Sequence, residues 1–337
     1  MHEHTNITSQ EGTSHKSKRI LRAKWMDYQS PSIMMVTIVT TKRLPLLGKL
    51  QGENIILTEL GQKVAEEIKR IPTYNGAESI EIYSYVIMPD HVHILLQIHE
   101  HLPRHVGNYI RWFKKQCTNI GLALAVPSAR NHIPLFAPEY HDRILKGKNQ
   151  LSHMVRYIQD NPRRLALKRA NKDLFRIRQN QLIGKIQCTV LGNIFLIEYP
   201  LRQVLQCSRR LTQEQIDNLK ADCLREAADG TIYVTAAISE GEKQIARALR
   251  EAGFPLIILL EKGFPAIDDP HYNYFKPQGV YFEACAAGKL LLIEPHRDLL
   301  DREDIAAKTE AKVGHIPHNS QRYRFVAMNI LAEDICK

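Results

Sequence analysis

From Gly184 onward the chain carries four short runs that are almost wholly apolar: "IFLIEYP", "TIYVTAAIS", "PLIILLEK" and "KLLLIEP". A strand that is apolar at every position must be covered on both faces. Helical segments fall between the runs: "TQEQIDNLKADCLREA", "GEKQIARALREAG" and "GVYFEACAAG". Strands of this kind alternating with helices predict a mostly parallel sheet with helices packed against both faces. No apolar run is long enough to span a bilayer. The first thirty residues are polar and basic, without a signal-peptide core.

The first half reads differently. Residues 1–183 hold 27 Lys and Arg against 15 Asp and Glu, and the remainder holds 19 against 21. All of the net charge of +10 therefore sits in the first half. A basic domain of this kind meets a polyanion, most commonly nucleic acid, or simply has a soluble basic surface. The six cysteines form no CxxC pair, which fits a reducing cytoplasm and thiols used as small core residues.

Residues 1–30 read as a flexible basic arm. "IMMVTIVTT" (33–41) is β-branched and strand-like. After a turn at 48–52, "NIILT" is a short strand, and Thr58 opens a helix to about Arg70 with Pro72 just beyond it. "ESIEIYSYVIM" and "HVHILLQIH" form a hairpin across Pro89-Asp90. "RHVGNYIRWFKKQCTNIGLAL" is a helix with an apolar stripe at Val106, Tyr109, Ile110 and Phe113. An irregular stretch is expected up to about Gly147. "NQLSHMVRYIQDNP" is a helix that ends near Asn161, because a residue before proline disfavours helical backbone. A basic helical segment then runs through "RRLALKRANKDLFRIRQN" (163–180), with the domain boundary at 175–185. Strand–helix–strand–strand–helix order predicts a small antiparallel sheet with helices on one face, an α+β layer.

Within the hairpin, His91 and His93 are two apart, so on a strand both rings face the same side while Val92 and Ile94 face the other. Two imidazoles on one face form a bidentate metal platform. A hydrogen-bonded, half-buried pair without metal fits the same spacing. Tyr157 and Asn161 are four apart and share a helix face. A phenol has a reference pKa of about 10 and acts as a nucleophile only beside a cation or base. Packing of Tyr157 in the core and capping by Asn161 fit that pattern equally.

Together, "VTIVTTKR", "YVIMPDHVHILL", "FKKQCTNIG" and "YHDRILKGKNQLSHMVRYIQDNPRR" resemble, in order, the motifs of the HUH single-tyrosine (Y1) transposases, in particular the REP-associated tyrosine transposase branch with its IS200-like domain. The resemblance covers about residues 33–167. It departs at Leu135-Phe136, where the family commonly has a tryptophan. It implies a ferredoxin-like HUH nuclease domain over 31–180; the smaller α/β domain over 185–337, of unknown role, rests on the apolar runs alone. It also implies that His91, His93 and Asn161 ligate a divalent metal, Mg²⁺ or Mn²⁺, and that Tyr157 attacks the scissile phosphate of single-stranded DNA to leave a 5′-phosphotyrosine. Hairpin DNA is the implied partner, and the family includes both monomers and homodimers. Phosphate contacts are expected from Arg104, Arg111, Lys114, Lys115, Arg163, Arg164, Lys168 and Arg169. His141, Asp142 and Arg143 read as structural. No membrane partner is expected, and the location is cytoplasmic, at the nucleoid. A domesticated DNA-hairpin binder that no longer cuts is the alternative function.

The second half lies outside this resemblance. Its layout faintly resembles the Rossmann-like fold of DNA-processing proteins. Ser239, Glu240 and Gly241 start a helix after a strand, a junction that can bind phosphate. There is no GxGxxG or GxxxxGK[ST], and Glu240 and Glu242 oppose an anion there.

Overall fold

The computed structural model describes residues 26–126, 133–145, 148–260, 264, 280–295, 302–318 and 320–337. The predicted basic arm lies outside these residues up to position 25. The chain divides into two compact units, Met1–Ala166 and Leu167–Lys337. The division falls earlier than the expected 175–185, and the second unit is as long as the first rather than smaller.

In the first unit, β1 (Ser32–Val39) is followed by a two-stranded hairpin, β2 (Gly48–Gln51) and β3 (Asn54–Leu57). Next come α1 (Glu59–Arg70), β4 (Ile80–Met88), β5 (His91–Ile98), α2 (Val106–Ala123), β6 (His141–Leu145) and α3 (Lys148–Ala170). The main sheet has the order β4-β5-β1-β6, and every pairing is antiparallel. With the β2–β3 hairpin set aside, this is the βαββαβ sequence of a ferredoxin-like layer.

Alternation of side chains divides the sheet into two working faces. Val36, Ile38, Val92, Ile94 and Leu96 are buried against Leu60, Val64 and Ile68 of α1 and against Val106, Tyr109, Ile110 and Phe113 of α2. The opposite face presents Met35 and Leu95, which pack on Met154 and Ile158 of α3. Each such aliphatic side chain contributes about 1.5–3 kcal/mol when fully buried. Helix α1 starts where Thr58 Oγ1 accepts the Gly61 N–H at 3.1 Å. Gly61 is required there, since a Cβ would stand 1.9 Å from the Leu47 carbonyl oxygen.

Four expectations fail in this unit. Gly48–Gln51, expected as a turn, is strand β2, with the turn at Gly52-Glu53. Helices cover both faces of the sheet rather than one, because α3 packs opposite α1 and α2. The stretch before Gly147 is not wholly irregular: His141–Leu145 is the edge strand β6, paired with β1 from Ile33 to Thr37. Nor does the helix end at Asn161. It runs on to Ala170 with Pro162 inside it. Proline brings no N–H to the carbonyl four residues back, that of Ile158. The Asn161 side chain compensates: its Nδ2 donates to the Tyr157 carbonyl at 2.7 Å and approaches that of Ile158 at 3.5 Å.

The second unit is built on a six-stranded sheet. Its strands are β7 (Arg178–Ile183), β8 (Ile186–Gly192), β9 (Arg202–Val204), β10 (Ile232–Thr235), β11 (Leu256–Leu259) and β12 (Leu290–Pro295). The order is β7-β8-β12-β11-β10-β9. β9 to β12 are mutually parallel, and β8 and β7 extend the sheet in antiparallel fashion. Helices α4 (Gln213–Ala228), α5 (Glu240–Glu251) and α6 (Val280–Ala286) connect the parallel strands. Cys223, Ile245, Leu249 and Cys285 cover one face with Tyr233, Ile258 and Leu292. α7 (Glu303–Val313) and α8 (Gln321–Cys336) cover the other through Ile305, Tyr323 and Leu331. This is the covered, mostly parallel sheet expected from the apolar runs.

One of those runs is not a strand. "IFLIEYP" forms a 3₁₀ turn at Ile194–Glu198 with Phe195 exposed, and the strand is the preceding "IQCTVLG" of β8. The basic segment to Asn180 is likewise helical only to Ala170. A 3₁₀ turn at Lys172–Phe175 and the start of β7 complete it. Among the described residues no helix is long and apolar enough to cross a membrane. Five of the six cysteines are buried and none is disulfide-bonded. Burial pushes the Cys188 and Cys285 thiols up to about 12.

Candidate functional site

The site is assembled on the β5 face that meets α3. His91 and His93 lie with their rings 4.8 Å apart, edge to face at 79°. Both are oriented through Nδ1. His91 donates from Nδ1 to Asp90 Oδ1 at 2.7 Å. His93 Nδ1 lies 2.8 Å from Thr37 Oγ1, and Thr37 is directly opposite His93 on β1. A carboxylate on Nδ1 fixes the tautomer that leaves the ring lone pair on Nε2, the arrangement usual behind metal-ligating histidines. Burial tends to raise the Asp90 carboxyl. The hydrogen bond and charge of His91, with the charge of Arg43, outweigh that and hold it below the ordinary carboxylate range.

Helix α3 brings Tyr157 over this pair. The Tyr157 ring centroid is 6.0 Å from that of His93. The Arg164 guanidinium lies 5.7 Å from the same ring's centroid, a cation–π distance. Arg164 is buried, at 8% exposure, and its Nη1 is 3.9 Å from Asp160. Arg163 grips the same carboxylate with two bonds, at 2.5 and 3.1 Å. Asn161 sits one helical turn beyond Tyr157. Because Nδ2 is committed to the helix carbonyls, Oδ1 is the atom turned away from them.

Two imidazole nitrogens and an amide oxygen make a donor set that suits a divalent ion completing its shell with phosphate oxygens and water. Among the described residues no three His, Cys, Asp or Glu side chains gather to hold an ion.

The sheet separates the predicted basic residues into groups. Arg104, Arg111, Lys114 and Lys115 are on or beside α2, across the sheet from the histidines. Arg104 lies over the Trp112 ring, Arg111 bonds Asn108, and Lys114 donates to the Pro138 carbonyl. Arg163 and Arg164 are on α3, at the tyrosine. Lys168 and Arg169 follow in the second unit, where Lys168 Nζ lies over Phe282. Tyr109 is fully buried, as a core residue is. Of the His141–Arg143 group, Asp142 accepts from Tyr28 at 2.7 Å. His141 is opposite Thr37 on β1 and exposed.

Sequence reading missed Asp90, Thr37 and Arg43. An acid at the first position before a histidine pair is a usable signal for Asp90. Thr37 is visible only once strand register is known.

In the second unit the helix start after β10 does not present an open phosphate cradle. Glu242 fills it. Its carboxylate accepts from Cys207 N at 3.2 Å, Ile238 N at 2.7 Å and Ser239 N at 3.3 Å, while Ser239 Oγ accepts from Glu242 N.

The first unit is thus a ferredoxin-like layer with a histidine pair on a central strand and a tyrosine on the facing helix. Residues 54–161 match the sequence family described as Transposase IS200 like. The match takes in both histidines, Tyr157 and Asn161, and leaves β1 and the second unit outside. An uncharacterised protein of Haemophilus influenzae is 24% identical over 168 residues, covering 43% of this chain and 88% of that protein. Among solved structures, a REP-associated tyrosine transposase bound to a REP hairpin is 18% identical, with 43% of this chain and 74% of that chain covered and a TM-score of 0.31. A transposase candidate from Deinococcus radiodurans is 20% identical, with 41% and 97% covered and a TM-score of 0.27.

Proposed function

We propose that the first unit cuts and rejoins single-stranded DNA through a covalent 5′-phosphotyrosine, in the manner of a transposase, with hairpin repeat DNA as its target. The observation that carries this reading is the convergence of His91, His93 and Tyr157 across the β5–α3 contact, with ring separations of 4.8 and 6.0 Å. His91, His93 and Asn161 would hold Mg²⁺ or Mn²⁺. When bound, such an ion supplies Lewis-acid polarisation of a phosphate oxygen.

The chain's own groups do the rest. His91 and His93, locked through Nδ1, fix where the scissile phosphate sits. Tyr157 Oη attacks phosphorus. The P–O3′ bond breaks, the phenolic proton is released, and the departing 3′ oxygen takes one up. The new phosphotyrosine ester conserves the phosphodiester's energy, so a second 3′-hydroxyl can displace the tyrosine without a nucleotide cofactor. Arg164 holds a positive charge against the ring throughout.

The test is a denaturing gel of the protein with Mn²⁺ and labelled single-stranded oligonucleotides from the flanks of its own gene. A covalent adduct is expected with the parent and none with Tyr157→Phe, which still binds the hairpin. Binding without any adduct under either metal would replace this reading with the non-cleaving hairpin binder.

A further inference from the structure

The turn that aims His91 is braced by a loop in an uncommon conformation. Lys42 and Arg43 are consecutive residues with left-handed backbone, at φ 55° and 54°. Residues with a Cβ visit this region infrequently. Two in succession persist only where the surroundings over-determine them, and such strain concentrates at functional sites. Here the bracing is dense. Thr40 N donates to the Asp90 carbonyl at 2.9 Å, and Thr40 Oγ1 lies between the carbonyls of Leu44, at 2.7 Å, and Asp90, at 3.0 Å. Leu47 N donates to the Pro89 carbonyl at 3.0 Å. Thr41 N donates to the Leu135 carbonyl and Arg43 N to that of Thr40, both at 2.9 Å.

The outcome is a relay. Arg43 Nη1 reaches Asp90 Oδ2 at 3.3 Å, and Asp90 Oδ1 takes the His91 Nδ1–H at 2.7 Å. The Arg43 side chain is 62% exposed. An ion pair so open to solvent adds little to stability, so it does not offset the strained backbone that delivers it. What it secures is direction.

We propose that Arg43 and Asp90 are positioning residues for His91: Asp90 fixes the ring's tautomer and rotation, and Arg43 fixes Asp90. This inference rests on the metal reading given above. A carboxylate behind a ligating histidine keeps the lone pair on the outward nitrogen and raises its basicity, and losing such a partner weakens metal affinity by about 10–100-fold. Arg43 acts one step further back, so its loss weakens affinity by a smaller factor. Lysine at 43 keeps the charge without the planar fork and restores part of it.

The experiment uses the full chain and Mn²⁺ alone, followed by titration calorimetry, together with long-range ¹⁵N NMR of the histidine rings before metal is added. Asp90→Asn is expected to lose about 10–100-fold in Mn²⁺ affinity and to change His91 from a fixed Nδ1–H tautomer to a mixture. Arg43→Ala is expected to weaken Mn²⁺ less, with Arg43→Lys between it and the parent. Should Asp90→Asn fail to fold, the exposed Arg43 variants carry the test. Parent-like affinity and tautomer in Asp90→Asn and Arg43→Ala, with Mn²⁺ binding lost in His91→Ala, would overturn the relay and leave the metal reading standing. Mn²⁺ binding that His91→Ala does not weaken overturns the metal reading and this inference with it.

Discussion

Asn161 and Pro162 are coupled through the carbonyl of Ile158, and a double-mutant cycle measures the coupling. In the parent, Pro162 offers that carbonyl no N–H, and Asn161 Nδ2 bonds the Tyr157 carbonyl at 2.7 Å while standing 3.5 Å from that of Ile158. Asn161→Ala removes the side-chain bond and leaves the part-buried Ile158 carbonyl without a donor, a loss of about 1.5–2.5 kcal/mol. Pro162→Ala restores the backbone donor and is stabilising by about 1–2 kcal/mol, less than the roughly 3 kcal/mol of an uncompensated interior proline. With the donor restored, Asn161→Ala should cost only about 0.5 kcal/mol, giving a coupling of at least about 1 kcal/mol. Urea unfolding followed by tryptophan fluorescence is the assay, since Trp112 lies in the first unit and the sequence of the second contains no tryptophan. An equal cost of Asn161→Ala in both backgrounds refutes the reasoning.

Other consequences are more local. Thr58→Ala removes the cap of α1 and should destabilise the first unit by about 1 kcal/mol in the same fluorescence assay. Leu95→Ala opens the contact between β5 and α3, where Leu95 is fully buried against Met154 and Ile158. It should cost about 2–5 kcal/mol and reduce adduct formation by loosening Tyr157 over the histidines. In the second unit, burial tends to raise the Asp334 and Glu333 carboxyls, but bonds and charges from Lys337, Lys308 and Lys312 outweigh it and hold both low. Their contribution is complete above the unfolded carboxylate range of about 4 and is lost as the pH falls through their lower folded values. Protection factors of α8 amides, corrected for intrinsic exchange, should therefore fall below about pH 4, and Asp334→Asn should remove part of that dependence.

What was legible in the sequence was local. Thr58, Glu59 and Pro72 mark both ends of α1 because caps and proline act within a turn. The shared face of His91 and His93 follows from the two-residue period of a strand. The arrival of Tyr157 over them does not follow from any spacing; it was accessible only through the resemblance of the motifs. β6 was missed because "HDRIL" is short and polar and becomes a strand only by pairing with β1. β7 was hidden by its basic and polar residues at the sheet's edge, and β8 by the more strongly apolar "IFLIEYP" just after it. Helix α3 passes Pro162 because a side chain replaces a backbone donor, which backbone preference alone does not reveal. Nothing in "TKR" announces two left-handed residues in a row.

Glu242 makes the second unit self-liganded: the anion its helix start would attract is tethered to the chain. Glu242→Ala would vacate a receptor of three backbone N–H groups, at Cys207, Ile238 and Ser239, already matched to one carboxylate. Such a variant invites chemical complementation. Formate or acetate should raise its melting temperature along a saturable curve, chloride should do so poorly, and the parent should ignore all three.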